Sequence, residues 1–487
     1  MKRLHIVLHA HLPWVKHHRP WSVEERWFHD ARWTAYVPLL EIAERHRGLT
    51  FSLSPSLLAM LEDEELERRS QQHCQELDTL NRGPGSIFPA AEQFGMRLSR
   101  ARESGPLIPR LCALRRQDRI ATWTTAASHA YLPGFSPHPR AIGAQLILGD
   151  ALFRSLMGGP PQGVWIPECG VDDVVVKAVE AHCSGPTVVA EHALGEAAGV
   201  GPASSGNTVW LPRQRAATHR IWSRDHGFPG HANYREFHLD LAHRLAEERL
   251  GPFQRGTMSG LKYWRIGDGP LHPPYEPTLA TAQVERDAAD MTAWLDEHVR
   301  EDTVTTLAFD AELFGHWWWE GPQFLERLLA RIDAHPSLTL SFPHDPLPPI
   351  SPGRPVSSSW GRGGDHRGWV SPRNARQWRD LHMTFRTVWD AGRSSPNSDM
   401  TALAWEAALQ MSAGDWLFLL EEGTAGDYPL RRLRTHRDTA RRSAELLSSG
   451  RRVEEISRPD GGLLWRGTSP RLDLHRVYER LDRPGED

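Results

Sequence analysis

Four short apolar runs in this chain each break off at a polar or charged group. Leu4 to Leu8 leads into His9 and His11, the run from Ile120 into Ser128 and His129, Val164 to Ile166 into Glu168, and Leu307 to Phe309 into Asp310. Between them lie helical patterns. Apolar positions recur at three and four spacing from Glu24 to Leu80, and Arg140 to Met157 reads as a helix closed by Gly158, Gly159, Pro160 and Pro161. Strands that end in polar groups and alternate with helices predict a parallel barrel or an open α/β sheet, and both architectures gather function at the carboxyl ends of the strands. With 487 residues, the chain can bury a large core as one big domain with appendages, or as two to three domains.

The densest chemistry follows the fourth run, where residues 307–322 read L-A-F-D-A-E-L-F-G-H-W-W-W-E-G-P. Three carboxylates (Asp310, Glu312, Glu320), His316 and three consecutive tryptophans share sixteen positions. Acids beside flat aromatic rings suit cleavage of a sugar linkage, which needs a proton donor at the scissile oxygen and an apolar platform for a pyranose face. A helix cap at Asp310 or Glu312, with the tryptophans as core, is the alternative. In G-V-W-I-P-E-C-G (163–170), a short apolar strand cannot hold a charge cheaply, so Glu168 is expected at the strand's mouth or paired. Alternation puts His9 and His11 on one side of their strand, as metal ligands, substrate hydrogen-bonders or satisfied core groups.

Composition excludes several partners. Fifty-seven basic against 61 acidic residues give a net charge of -4 without a basic face, which argues against nucleic acid. Four cysteines without close pairing argue against both a disulfide framework and a zinc ribbon. The N-terminus M-K-R-L-H-I-V-L-H-A-H lacks the form of a signal peptide, and no apolar run reaches the ~20 residues of a membrane helix. A cytoplasmic protein, without membrane contact, is expected. Twenty tryptophans against seven tyrosines favour a planar-faced ligand such as carbohydrate.

From Leu194 to Gly260 the chain turns irregular, as a lid or functional loop would. A proline-rich connector (Pro346, Pro348, Pro349, Pro352, Pro355) precedes a mostly helical remainder, clearest over 371–390, 399–412 and 429–448. The expected division is therefore a catalytic domain over 1–350, with an inserted lid or helical segment at about 194–258, and a mainly α-helical domain over 351–487 that contributes to the substrate groove.

Five motifs occur in order: H-A-H-L-P (9–13), A-S-H-A-Y-L-P (127–133), W-I-P-E-C-G (165–170), F-D-A-E-L-F-G-H-W-W (309–318) and S-A-G-D-W-L-F (412–418). Together they closely resemble the signature regions of glycoside hydrolase family 57, most of all its 1,4-α-glucan branching enzymes. The likeness extends to S-G-L-K-Y-W-R-I (259–266) and S-S-S-W-G-R-G-G (357–364), and so covers nearly the whole chain. The resemblance implies a (β/α)7 barrel, an incomplete TIM-like fold, with an inserted segment and a helical C-terminal domain. It implies a retaining double displacement on an α-glucan, without metal or cofactor, in a monomer or small homo-oligomer. It places the nucleophile at Glu168 and the general acid/base at Asp310, with Glu312 as the rival for that second role. His9, His11 and His129 would bind hydroxyls of the cleaved sugar, Asp415 would assist, and Trp264, Trp360 and Trp369 would stack on glucose rings. Retention requires the two carboxyl groups to lie ~5 to 5.5 Å apart, and burial together with the charge of Glu168 is expected to raise the pKa of Asp310.

Two departures bear on the outcome. Val171 stands where the family often has an aromatic residue. The loop that commonly reads G-Y-P-G reads Gly227, Phe228, Pro229, Gly230 here, so the lid keeps bulk but loses a hydroxyl. Hydrolysis, as in an α-amylase, and 4-α-glucanotransfer remain alternatives. A more distant one is a polysaccharide deacetylase that binds zinc through His9, His11 and an aspartate.

Overall fold

The computed structural model describes residues 1–16, 23–246, 258–267, 272–301, 303–347, 350–396, 398–449, 462–466 and 469–481. Pro348 and Pro349 of the connector, residues 247–257 of the expected insert, and residues 450–461 and 482–487 of the expected C-terminal domain lie outside the described residues. Among the described residues the strands are β1 (Lys2–Ala10), β2 (Leu49–Leu53), β3 (Ile120–Thr125), β4 (Val164–Trp165), β5 (Gly185–Val189), β6 (Ala203–Ser205), β7 (Thr208–Pro212), β8 (Val304–Asp310), β9 (Leu338–Leu340) and the two-residue strands β10 (Ser351–Pro352), β11 (Trp465–Arg466) and β12 (Ser469–Pro470).

The chain forms two compact units, each discontinuous in sequence. The first comprises Met1–Phe51, Leu61–Ala121 and Gln214–Phe342, and the second Ser52–Met60, Thr122–Arg213 and Pro343–Asp487. This division differs from the boundary near residue 350 that the sequence suggests.

In the first unit β1 pairs in parallel with β8, from Arg3 opposite Val304 to His9 opposite Asp310, and with β9 from Lys2 opposite Leu338. Burial along β8 is nearly continuous, with only Thr305 and Asp310 partly accessible. Such strands read as unbroken apolar runs because both faces of a parallel sheet are covered. Leu8, Leu307 and Ala308 are 0% exposed. Burying each leucine side chain is worth roughly 1.5–3 kcal/mol, enough to hold the polar ends of these strands in place.

In the second unit β3 and β4 are parallel, with Thr124 opposite Val164, and β5 runs parallel to β7. β6 and β7 form an antiparallel hairpin inside the stretch read as irregular. Its turn is Gly206-Asn207, with Gly206 at φ +54°, a two-residue hairpin signal that the sequence carries in plain view. The helix Pro139–Met157 stops at Gly158, whose φ of +70° forms a left-handed cap. Helices Ala375–Gly392, Asp399–Met411 and Tyr428–Ser448 pack together, and a helix at Gly414–Glu422 lies between the last two in sequence. Among the described residues no helix is long and apolar enough to cross a membrane.

Candidate active site

The residues singled out by the sequence divide between the two units. His9, His11, Phe228, Trp264, Asp310 and Glu312 belong to the first, and His129, Glu168, Trp360, Trp369 and Asp415 to the second.

In the first unit, the register of β1 and β8 sets His9 beside Asp310, and the rings of His9 and His11 stack 5.9 Å apart at 19°. Burial, and after it the neighbouring His11, pushes the His9 imidazole well below its usual range. His9 is therefore neutral and offers a sugar hydroxyl one donor and one acceptor. The three carboxylates of the motif sort themselves by environment. Glu320 is 2% exposed and accepts the Arg235 backbone N–H at 3.0 Å. Glu312 is 5% exposed, with Oε1 accepting the His11 backbone N–H at 3.1 Å and the Tyr36 hydroxyl. Asp310 alone of the three is partly accessible.

Burial first, and the charge of Asp310 second, push the Glu312 carboxyl up to about 8. Glu312 is thus a protonated, internally bonded group at neutral pH that orients Tyr36 and the backbone between His9 and His11. A stability prediction follows with a definite sign. Below its ordinary value of 4.5 the carboxyl is neutral folded or unfolded, and between 4.5 and about 8 only the unfolded chain ionises it, so stability falls across that window as pH rises. Glu312→Gln lacks this titration. Melting temperatures recorded from pH 4 to 9 should show the wild type losing ground to Glu312→Gln above about pH 5, whereas parallel curves would contradict the assignment.

Local backbone features make these contacts possible. Tyr36 ends a π-helical turn, Arg32–Tyr36, the kind of bulge that redirects side chains at functional sites. The Thr34 carbonyl of that turn lies 1.8 Å from where a Cβ on Gly315 would stand, and Gly315 has φ +117°. Only glycine fits there. Trp318 and Trp319 are core, at 2% and 1% exposure, and Trp319 lies under the Arg97 guanidinium at 3.6 Å. Trp317, 42% exposed, is the one accessible ring of the three. Trp264 is half-buried with its edge on Phe88 at 5.1 Å. Phe228 is half-buried and packs on Phe324 at 5.5 Å beneath Arg220, so acting as a lid requires it to leave Phe324.

In the second unit Glu168 follows β4 in the short turn Pro167–Cys169, at φ +59° and ψ +18°. A left-handed glutamate is uncommon and persists only where its surroundings enforce it. Here Trp360 enforces it, since its backbone N–H donates to the Glu168 carbonyl at 3.0 Å and its indole Nε1–H to Glu168 Oε2 at 2.6 Å. His129, also left-handed at φ +56°, sets Nδ1 4.0 Å from Glu168 Oε1. Its carbonyl accepts the Gly414 N–H at 3.1 Å, and Gln145 Nε2 bridges Ser128 Oγ and Ser412 Oγ at 3.0 and 2.9 Å. Those bonds tie the His129 turn to the first turn of the helix that carries the partly accessible Asp415. Trp369 does not present a ring. It is 3% exposed and stacks on Tyr131 at 4.6 Å and Phe418 at 5.8 Å, and Phe418, 40% exposed, is the accessible member of that stack. Tyr36, Gln145, Phe418 and the Trp360 hydrogen bond were not legible from the sequence; only Gln145, a polar residue within the apolar helix Pro139–Met157, leaves a local trace.

Three comparisons bear on what these halves do. The family model for glycosyl hydrolase family 57 matches residues 5–245. A "probable 1,4-alpha-glucan branching enzyme" of Mycobacterium tuberculosis is 26% identical over 534 residues, covering 94% of this chain and 95% of its own length. The alpha-amylase AmyC of Thermotoga maritima superposes with a TM-score of 0.83 at 24% identity, covering 93% of this chain and 95% of its own. The GH57-type branching enzyme of Pyrococcus horikoshii does so at 0.82 and 23%, covering 99% and 94%. The fold is accordingly the (β/α)7 type with a helical C-terminal region.

Proposed function

Because the chain belongs to glycosyl hydrolase family 57, we propose that it is a retaining 1,4-α-glucan branching enzyme. The observation that carries the reading is the position of two accessible carboxylates at the ends of parallel strands, Asp310 as the last residue of β8 and Glu168 just past β4. The Glu168 carboxylate attacks the anomeric carbon, the bond from that carbon to the 4-oxygen breaks, and Asp310 gives its proton to the departing oxygen. Asp310, now a carboxylate, then takes the proton of an acceptor 6-hydroxyl, whose oxygen attacks the anomeric carbon and releases Glu168. Neutral His9, together with His11, His129 and Asp415, binds hydroxyls of the sugar in the cleaved position.

Hydrolysis is the reading to set against transfer, because Phe228 lacks the hydroxyl of the family's commoner tyrosine and water competes with the acceptor for the glycosyl enzyme. Amylose should lose iodine colour with a small rise in reducing ends and yield new short chains on debranching. Phe228→Tyr should move the products toward branches, and Phe228→Ala toward reducing ends. Reducing ends that rise in step with the colour loss, without debranchable chains, would make the protein a hydrolase.

A further inference from the structure

We infer that Trp360 is a positioning residue for Glu168 instead of a platform for glucose, an inference that rests on Glu168 being the nucleophile. Trp360 grips Glu168 twice, through the backbone at 3.0 Å and through the indole N–H on Oε2 at 2.6 Å. Three residues after Glu168 and two before Trp360 the grip continues, as Val171 and Ser358 exchange backbone hydrogen bonds, each 2.9 Å long. Residues 168–171 and 358–360 thus form a short ladder that holds the left-handed turn at Glu168 in its uncommon conformation. Val171, which replaces an aromatic residue common in the family, contributes to it through its backbone while its side chain is 0% exposed.

The indole itself is fixed on two sides. The Arg213 guanidinium lies 4.7 Å over its ring, and the fully buried Trp165 meets it edge-on at 5.1 Å and 66°. A cation over the ring is attracted to its π face and draws electron density from it, so the N–H becomes a stronger donor. A hydrogen bond to an ionised carboxylate is among the stronger ones and favours the charged form that attack requires. It weakens when attack converts the carboxylate to an ester and returns when deglycosylation regenerates the anion. The same bond therefore orients the nucleophile in the first step and stabilises the departing carboxylate in the second.

Trp360→Phe separates positioning from stacking, because it keeps an aromatic ring and removes the N–H donor. Positioning predicts a kcat on soluble amylose lowered about 10- to 100-fold with KM held within about twofold. A platform predicts near-wild-type kcat, or a raised KM at unchanged kcat, and either result overturns the inference. Arg213→Met removes the cation and leaves the indole, and should lower kcat by about two- to fivefold at constant KM. It decides the matter if Trp360→Phe does not fold, an unchanged kcat then counting against the inference. Glu168→Gln assayed alongside distinguishes the two failures. A dead Glu168→Gln beside a fully active Trp360→Phe discards the positioning role alone, whereas an active Glu168→Gln discards the nucleophile on which it rests.

Discussion

Glu168→Gln is expected to lower turnover on amylose by about 10^4- to 10^6-fold while leaving the melting temperature unchanged. The glutamine is isosteric, its amide oxygen can accept the Trp360 indole N–H in place of Oε2, and the side chain is 23% exposed, so no charge is left buried and unpaired. Shortening the residue should open room for a substitute nucleophile. With Glu168→Ala, azide should restore release of fluoride from α-maltosyl fluoride and give the β-glycosyl azide, the inverted product, because the small anion enters on the face that the carboxylate has vacated. Near-normal turnover by Glu168→Gln, or rescue with retained configuration, would assign the nucleophile elsewhere.

Asp310→Asn should behave differently on two substrates. Loss of a general acid costs about 10^2- to 10^4-fold where the leaving group needs a proton, so amylose cleavage should fall by that much. Fluoride leaves without one, and the first turnover of α-maltosyl fluoride should stay within about tenfold of wild type. The substitution preserves the shape of a residue set in register with His9 at the end of β8. Equal losses on the two substrates would shift the proton to Glu312. Its environment argues against that role, since Glu312 is buried and its Oε1 is already engaged by Tyr36 and the His11 backbone.

What could be read from the sequence was whatever local pattern encodes. Alternation in β1 put His9 and His11 on one side, an apolar run ending in a carboxylate put Asp310 at a strand end, and the proline after Ile166 put Glu168 just beyond one. β2 was lost among helices because Leu49–Leu53 is only five residues long, and the β6–β7 hairpin was lost in a stretch whose glycines and serines read as irregular. Tryptophan content alone does not tell the core rings from the accessible ones. At least eight tryptophans, Trp33, Trp123 and Trp405 among them, are less than 2% exposed and serve as core, and so does Trp369. Contacts that define the environment of the acids join residues far apart in sequence. Tyr36 and Glu312 are separated by 276 positions, and Trp360 and Glu168 by 192. No periodicity or turn rule carries such pairings, which exist only once the parallel strands and the loops beyond them are assembled.

The central claim, a covalent glycosyl enzyme at Glu168, is tested most directly by trapping it. Asp310→Asn treated with α-maltosyl fluoride should form the ester quickly and break it slowly, since the first step needs no acid and the second lacks its base. Peptide mass spectrometry of the quenched protein should then find one maltosyl group on the peptide containing Glu168, with a burst of fluoride equal to the enzyme present. A burst with the label on any other residue, or steady fluoride release with no labelled peptide, would contradict the mechanism.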